Sequence, residues 1–218
     1  MKPIKVGLLG LGTVGGGTLT VLRRNRQEIT RRAGREIQVT MAAVRDLNKA
    51  EKHNGDGLKL TTDSFEVVNN PDIDIVVELI GGLSPAKELV LKAIENGKHV
   101  VTDNKHLLAK HGNEIFAADQ AKGVMVAFEA AVAGGIPIIK AIREGLTANR
   151  IEWIAGIING TTNFILSEMR EKGLGFDTVL AEAQRLGYAE ADPTFDIEGI
   201  DAAHKLTILS AIAFGIPV

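Results

Sequence analysis

Six residues near the N-terminus do most to limit what this chain can become. Gly10-Leu11-Gly12-Thr13-Val14-Gly15 has the pattern G-x-G-x-x-G and follows directly on the apolar run Ile4 to Leu9. A short apolar run of that kind reads as a buried strand, and the residues after Gly15 read as a helix. Each glycine has a task in such a strand–turn–helix. Gly10 allows the tight turn, Gly12 lets the backbone approach a pyrophosphate, and Gly15 lets the helix pack on the strand. The helix N-terminus at Thr13 and Val14 then offers unpaired N–H groups and the positive end of the helix dipole to phosphates. Gly10, Gly12, Thr13, Val14 and Gly15 are therefore candidate contacts of a dinucleotide.

The residues that follow keep alternating. A helix is expected to about Ala33, then a strand from Ile37 to Val44 and a polar, irregular stretch over 47–62 that includes His53-Asn54-Gly55-Asp56-Gly57. Asp63-Ser64 reads as the cap of a short helix to Asn69. Ile73 to Ile80 is a buried-strand run ending at Gly81-Gly82. Ser84-Pro85 opens a helix to Asn96, closed by Gly97. A strand over Lys98 to Val101, a helix to Ala121 and a strand over Val124 to Phe128 complete the series. Strands that alternate with helices make a doubly wound parallel α/β sheet of the Rossmann type the expected fold.

Ligands of such sheets bind at the carboxyl ends of the strands. Three residues there are candidates for cofactor contact: Arg45, Gly81 and Lys105. An acid ending the second strand would bind a ribose 2′-hydroxyl and favour NAD, whereas an Arg accommodates a 2′-phosphate and favours NADP. Here Arg45 comes first and Asp46 second, so NADP(H) is favoured and NAD(H) stays open. Plain alternatives stand beside each: a solvated charge for Arg45 and Lys105, a turn glycine for Gly81. A lone loop histidine such as His53, with no second ligand at a useful spacing, reads as no metal site.

At Glu129 the character changes to the small, glycine-rich run EAAVAGGIPII. The domain boundary is placed here, giving a nucleotide-binding domain over 1–130 and a second domain over 131–218. In the second domain a helix is expected near Pro137, a strand over Arg150 to Asn159, and helices to Lys172 and from Asp177 to Leu186. The stretch Gly187 to Lys205 then carries Glu190, Asp192, Asp196, Glu198 and Asp201 ahead of a lysine. A helix starting near Gly199 would put Asp201 and Lys205 on one face, about 5–6 Å apart at Cβ. Ile208, Leu209 and Ile212 project to the same side, which predicts burial of the pair. A buried lysine needs a partner, and its pKa can fall into a catalytically useful range. An exposed i,i+4 salt bridge of about 0.2–0.5 kcal/mol fits the same spacing.

Composition removes several classes. With 218 residues, 45% hydrophobic and 24% charged, the chain is that of a globular protein with a sizeable core. A net charge of −2 gives no electrostatic case for nucleic acid or an anionic membrane surface. The basic cluster from Arg23 to Arg35 reads as a solvated helix face. No cysteine is present, which excludes disulfides, thiolate metal sites and a cysteine nucleophile and fits a cytoplasmic setting. No signal peptide or membrane-length apolar run is seen.

Taken together, GLGTVG, VVTDNKHLLA, EAAVAGGIPII, GIINGTTNFIL and GYAEADPTFDIEGIDAAHKLTIL, in this order and spacing, resemble homoserine dehydrogenase over essentially the whole chain. The resemblance implies reversible reduction of L-aspartate 4-semialdehyde to L-homoserine with NADPH or NADH, on the route to threonine, methionine and isoleucine. It implies that Lys205 is catalytic and that Lys105 is a second lysine near nicotinamide and substrate. It implies substrate contacts at Glu190 and Asp201, with Asp196 close by, and a cofactor contact at Gly187. It also implies a monovalent-cation site, usually sodium, at Glu129, Val132, Gly134 and Ile136, built largely from backbone carbonyls; from the residues alone a Gly-Gly hinge fits that segment. A homodimer or homotetramer is implied as well, with residues 131–218 as part of an α+β substrate and dimerisation domain. Members of the family are longer, so the chain reads as a fragment. The phosphorylating dehydrogenase of the same semialdehyde needs a cysteine thioester and is excluded. A dinucleotide-binding module without turnover is the alternative.

Overall fold

The computed structural model describes residues 1–53, 55 and 57–218, so Asn54 and Asp56 of the polar stretch lie outside the described residues. Two compact units result, Met1–Ala131 and Val132–Val218.

In the first unit β1 (Ile4–Leu9) is followed by α1 (Thr13–Arg24), α2 (Arg26–Ala33), β2 (Ile37–Ala43), α3 (Leu47–Ala50) and a 3₁₀ turn over Glu51–His53. Then come β3 (Lys59–Thr61), α4 (Ser64–Asn69), β4 (Ile75–Glu78), α5 (Ala86–Glu95), β5 (His99–Thr102), α6 (Lys105–Lys122), β6 (Val126–Ala127) and α7 (Glu129–Val132), whose last residue falls in the second unit. The strands form one sheet in the order β3-β2-β1-β4-β5-β6, every pairing parallel. The strand order reverses between β1 and β4, so a ligand crevice is expected outside their carboxyl ends.

β1 is central because its residues pack on both faces. Val6, Leu8, Leu19, Ala42, Leu58 and Val77 form one buried cluster. Gly7 is required on the other face, where an added Cβ would lie 2.5 Å from Val67 and 2.8 Å from Ile73. Asp63 caps α4 by accepting from the Phe65 N–H, as its sequence position indicates.

Two expectations for this unit are corrected. The single helix to Ala33 is broken at Asn25, which leaves helical geometry between α1 and α2. Asn is a poor interior helix residue because its side chain competes for the backbone. The stretch over 47–62 is not wholly irregular, since it holds α3 and the edge strand β3, which pairs with Met41–Ala43 of β2.

Lys98 is buried just before β5, and its ammonium donates to the carbonyls of Asn70 (2.6 Å) and Ile73 (2.8 Å). Burial pushes its pKa down, with Asp74 pulling the other way. Lys98→Met removes both donors to buried carbonyls and is expected to cost about 1–3 kcal/mol in a urea titration. A lowered lysine pKa penalises the folded state while the lysine is charged, and the penalty is relieved as pH rises from the folded pKa towards the ordinary 10.5. The stability gap between wild type and Lys98→Met should therefore be flat near neutrality and widen in the alkaline range.

The second unit contains α8 (Ile138–Lys140), a π-turn over Ala141–Gly145, α9 (Gly160–Lys172), α10 (Phe176–Arg185), α11 (Thr194–Ile197) and α12 (Ile200–Phe214). Ile165, Val179, Ala183 and Ala189 form its buried cluster. The expected strand over 150–159 is not formed. A strand exists only through a ladder partner, and the described residues of this unit hold no other strand. Trp153 and Ile157 accordingly stand 73% and 76% exposed. Among the described residues no helix is long and apolar enough to cross a membrane.

Candidate active site

In the first unit the glycine turn has the geometry a dinucleotide needs. Gly10 has φ +98°, and a Cβ there would meet the Leu79 carbonyl at 3.0 Å. A Cβ on Gly15 would lie 2.1 Å from the Gly10 carbonyl oxygen, so only glycine lets α1 start this close to β1. Gly12 has open space around its Cβ position. No side chain caps the N-terminus of α1 and no acid lies in its first turn, where Thr13 and Val14 are exposed. Open N–H groups with a bare glycine before them fit a phosphate group.

Arg45 is exposed at the end of β2. Asp46 is already engaged, since its Oδ1 accepts from the N–H groups of Asn48 (3.0 Å) and Lys49 (3.3 Å) and caps α3. Sequence spacing could not separate a ribose-binding acid from a capping one. His53 packs on α1: a Cβ on Gly16 would lie 2.9 Å from its ring, and Arg23 donates to its carbonyl.

Gly81 lies in the loop after β4 with φ +72°. Lys105 is the first residue of α6, whose cap is Asn104. Two residues before Lys105, the carboxyl of Asp103 is pushed up by burial and by the charge of Glu78, against the pull of its own backbone hydrogen bond and of Lys105.

In the second unit the acidic stretch and the lysine converge. Gly199 (φ +71°) starts α12, and one turn along it Lys205 Nζ lies 2.8 Å from Asp201 Oδ2. The two side chains are 17% and 9% exposed, so this is a largely buried pair rather than a surface salt bridge. Lys205 also donates to the Ile158 carbonyl at 2.8 Å. An ammonium has three donors; among the described residues these partners use two of them.

Asn159 was not apparent as a site residue. It caps α9 with Oδ1, which accepts from the Thr162 N–H and hydroxyl, both at 2.8 Å. Its Nδ2 then donates to Asp196 Oδ1 (2.7 Å) and Asp201 Oδ2 (3.0 Å). An Asn immediately before the GTTN helix start is the signal that would have found it.

Not every candidate joins this cluster. Glu190 is exposed, and its carbonyl rather than its carboxylate is held, by Gln184 Nε2 at 3.1 Å. Gly187 (φ +77°) turns the chain out of α10. Glu129 lies in the first unit and Val132, Gly134 and Ile136 in the second. Val132 is buried and Ile136 exposed, and the Ile136 carbonyl accepts from the Ile138 N–H at 2.8 Å. Among the described residues no group of three or more His, Asp or Glu side chains is placed to hold a metal ion.

A parallel sheet in this order, with a glycine turn at β1–α1, defines a dinucleotide-binding protein of the Rossmann type. The family profile described as homoserine dehydrogenase, NAD binding domain, matches residues 10–129, and that described as homoserine dehydrogenase matches residues 137–218. The chain belongs to the homoserine dehydrogenase family. It is 72% identical, over all of its length, to homoserine dehydrogenase of Pseudomonas aeruginosa, and spans half of that protein. It matches the crystal structure of a homoserine dehydrogenase from Thiobacillus denitrificans at 83% identity and a TM-score of 0.95, covering all of this chain and 50% of that one. A hyperthermophilic archaeal homoserine dehydrogenase in complex with NADPH is similar at 29% identity and a TM-score of 0.86, over 99% of this chain and 71% of that one. The chain thus spans about half the length of the curated relatives it matches.

Proposed function

We propose that the protein interconverts L-aspartate 4-semialdehyde and L-homoserine with NADP(H), its first domain holding the cofactor and its second the substrate. The observation that carries this is the buried Lys205–Asp201 pair, in which partners among the described residues use two of the Lys205 donors.

The nicotinamide, when bound, supplies or accepts the hydride. The chain's own residues manage the oxygen and its proton. As the carbonyl carbon is reduced, its oxygen becomes an alkoxide; the Lys205 ammonium stabilises that charge and delivers a proton from Nζ. In the reverse direction neutral Lys205 takes the hydroxyl proton. Asp201 and the Ile158 carbonyl hold Nζ in place for both directions. Asp196 and Asp201, bridged by Asn159, and Glu190 supply carboxylates to the amino acid's ammonium group. Lys105, Gly81 and Gly187 contact the cofactor, Lys105 also lying near the substrate.

Preference for NADP(H) is supported by Asp46, whose carboxylate is spent on capping α3 while Arg45 stands exposed beside it. A monovalent cation, sodium, at Glu129 and the backbone carbonyls of Val132, Gly134 and Ile136 fits the donor chemistry of a hard ion. A carbonyl has two lone pairs, so the bond to Ile138 leaves the Ile136 oxygen able to serve. Assembly as a homodimer or homotetramer and a cytoplasmic setting complete the proposal.

The test is reduction of NADP⁺ by L-homoserine at alkaline pH in the complete protein, read by nicotinamide absorbance, and repeated with NAD⁺. Turnover with NADP⁺ preferred is expected. Arg45→Ala should raise KM for NADP⁺ about tenfold or more, the scale of a lost charge-assisted phosphate contact, and leave that for NAD⁺ unchanged. Cofactor binding without any reduction would mark a nucleotide-binding module instead.

A further inference from the structure

Glu78 is a carboxylate with no exposed surface at the carboxyl end of β4, beside the point where the strand order reverses. A buried carboxylate is costly unless its oxygens are all satisfied, and these are. Oε1 accepts from the N–H groups of Ile80 (2.9 Å) and Gly81 (3.1 Å). Oε2 accepts from the Thr102 hydroxyl at 2.6 Å, Thr102 being its register partner on β5. The Thr102 oxygen in turn accepts from the Asn104 N–H at 3.0 Å. Asn104 then caps α6 by accepting from the Leu107 N–H (3.0 Å) and donates from Nδ2 to the Gly82 carbonyl (2.6 Å).

The chain of bonds closes on itself. It leaves β4 through Glu78, crosses to β5 at Thr102, passes to the start of α6 at Asn104 and returns to the loop after β4 at Gly82. The two segments it fastens carry Gly81 and Lys105. Two apolar residues would join these strand ends at less cost, as Leu9 and Ala43 do at the ends of β1 and β2. What apolar residues could not do is fix the direction in which the first residue of α6 points.

We propose that Glu78, Thr102 and Asn104 are positioning residues that together hold Lys105 and the Gly81 loop in the geometry for catalysis. This rests on the placement of Lys105 near nicotinamide and substrate given under Proposed function. Misplacement of a catalytic group by about 1 Å costs up to 10²-fold in rate, so the relay acts on turnover rather than on the existence of the fold.

The experiment is a double-mutant cycle in the complete protein, with Thr102→Val, Thr102→Ser, Lys105→Ala and the Thr102→Val/Lys105→Ala pair. Valine keeps the shape of threonine and removes both hydrogen bonds of its hydroxyl; serine keeps them. Thr102→Val should lower kcat for L-homoserine oxidation about tenfold or more, and Thr102→Ser should restore it to within about threefold. In the Lys105→Ala background, Thr102→Val should have a clearly smaller effect, the part that passes through the Gly81 loop. Equal losses in both backgrounds would mean a merely structural role and overturn the proposal, as would an unchanged kcat in Thr102→Val.

Should Thr102→Val fail to fold, Asn104→Ser reads the same cycle, because serine still caps α6 but cannot reach Gly82. If the wild type itself shows no turnover, the activity proposal fails and the relay is read by hydrogen exchange. Thr102→Val should then expose the Gly81 and Leu107 amides together; loss of protection at one without the other contradicts the relay.

Discussion

Lys205→Ala is expected to lose turnover and keep its cofactor. In the proposed mechanism the ammonium stabilises the alkoxide and carries the proton, and general acid–base groups account for about 10²–10⁴-fold in rate. The dissociation constant for NADP⁺ should move by no more than about twofold, since a group acting only on the reacting oxygen lowers kcat without changing nucleotide binding. Stability should fall too, though by less than the ~3–5 kcal/mol of stripping a fully buried ion pair. Asp201 keeps its bond from Asn159, and neither side chain is wholly enclosed. Lys205→Met preserves the packing of the stem and should show the same loss of rate with a smaller loss of stability. Steady-state rates beside a nucleotide titration separate the outcomes: weakened NADP⁺ binding in both variants would make Lys205 structural.

Gly15→Ala should be the most damaging single methyl in the first unit. In an exposed helix the change from Gly to Ala would gain about 1 kcal/mol. Here the new Cβ would lie 2.1 Å from the Gly10 carbonyl oxygen, a backbone atom that moves only if the turn itself moves. Overpacking of this kind costs about 1–3 kcal/mol or more, so the clash outweighs the propensity. Because the displaced turn is the one offered to phosphate, affinity for NADP⁺ should fall about a hundredfold, on the scale of roughly 1.5–3 kcal/mol for hydrogen bonds to a charged group. Gly12→Ala is the control: its Cβ position is open, so fold stability should change little while a bound pyrophosphate is crowded. Equal nucleotide affinity in Gly15→Ala and wild type, by calorimetry, would show that the turn does not hold the cofactor.

What could be read from the sequence was local. The glycine turn, the Asp63 cap and the shared face of Asp201 and Lys205 all follow from spacings of a few residues, and the structure has each of them. What was missed depends on partners far along the chain. β3 is three residues long, too short to show a period, and exists because β2 lies beside it. Residues 150–159 have the composition of a strand, but composition supplies no ladder partner. Glu78 and Thr102 meet through strand register across 24 positions. The one local trace of that contact is Glu78 itself, an acid within the strand residues IVVE, which a buried strand does not carry without reason. Asn159 left a clearer trace as a helix cap, but its second role towards Asp196 and Asp201 appears only once α9, α11 and α12 are folded together.

The most direct measurement is a single turnover in the direction of reduction: NADPH mixed with excess complete protein and L-aspartate 4-semialdehyde, followed by loss of nicotinamide absorbance, with wild type and Lys205→Met side by side. The expected result is rapid oxidation of NADPH by the wild type and a rate lower by about 10²–10⁴-fold in the variant, with the nucleotide bound equally by both. Oxidation at the wild-type rate in Lys205→Met would contradict the assignment of the proton to Lys205 and move the chemistry elsewhere.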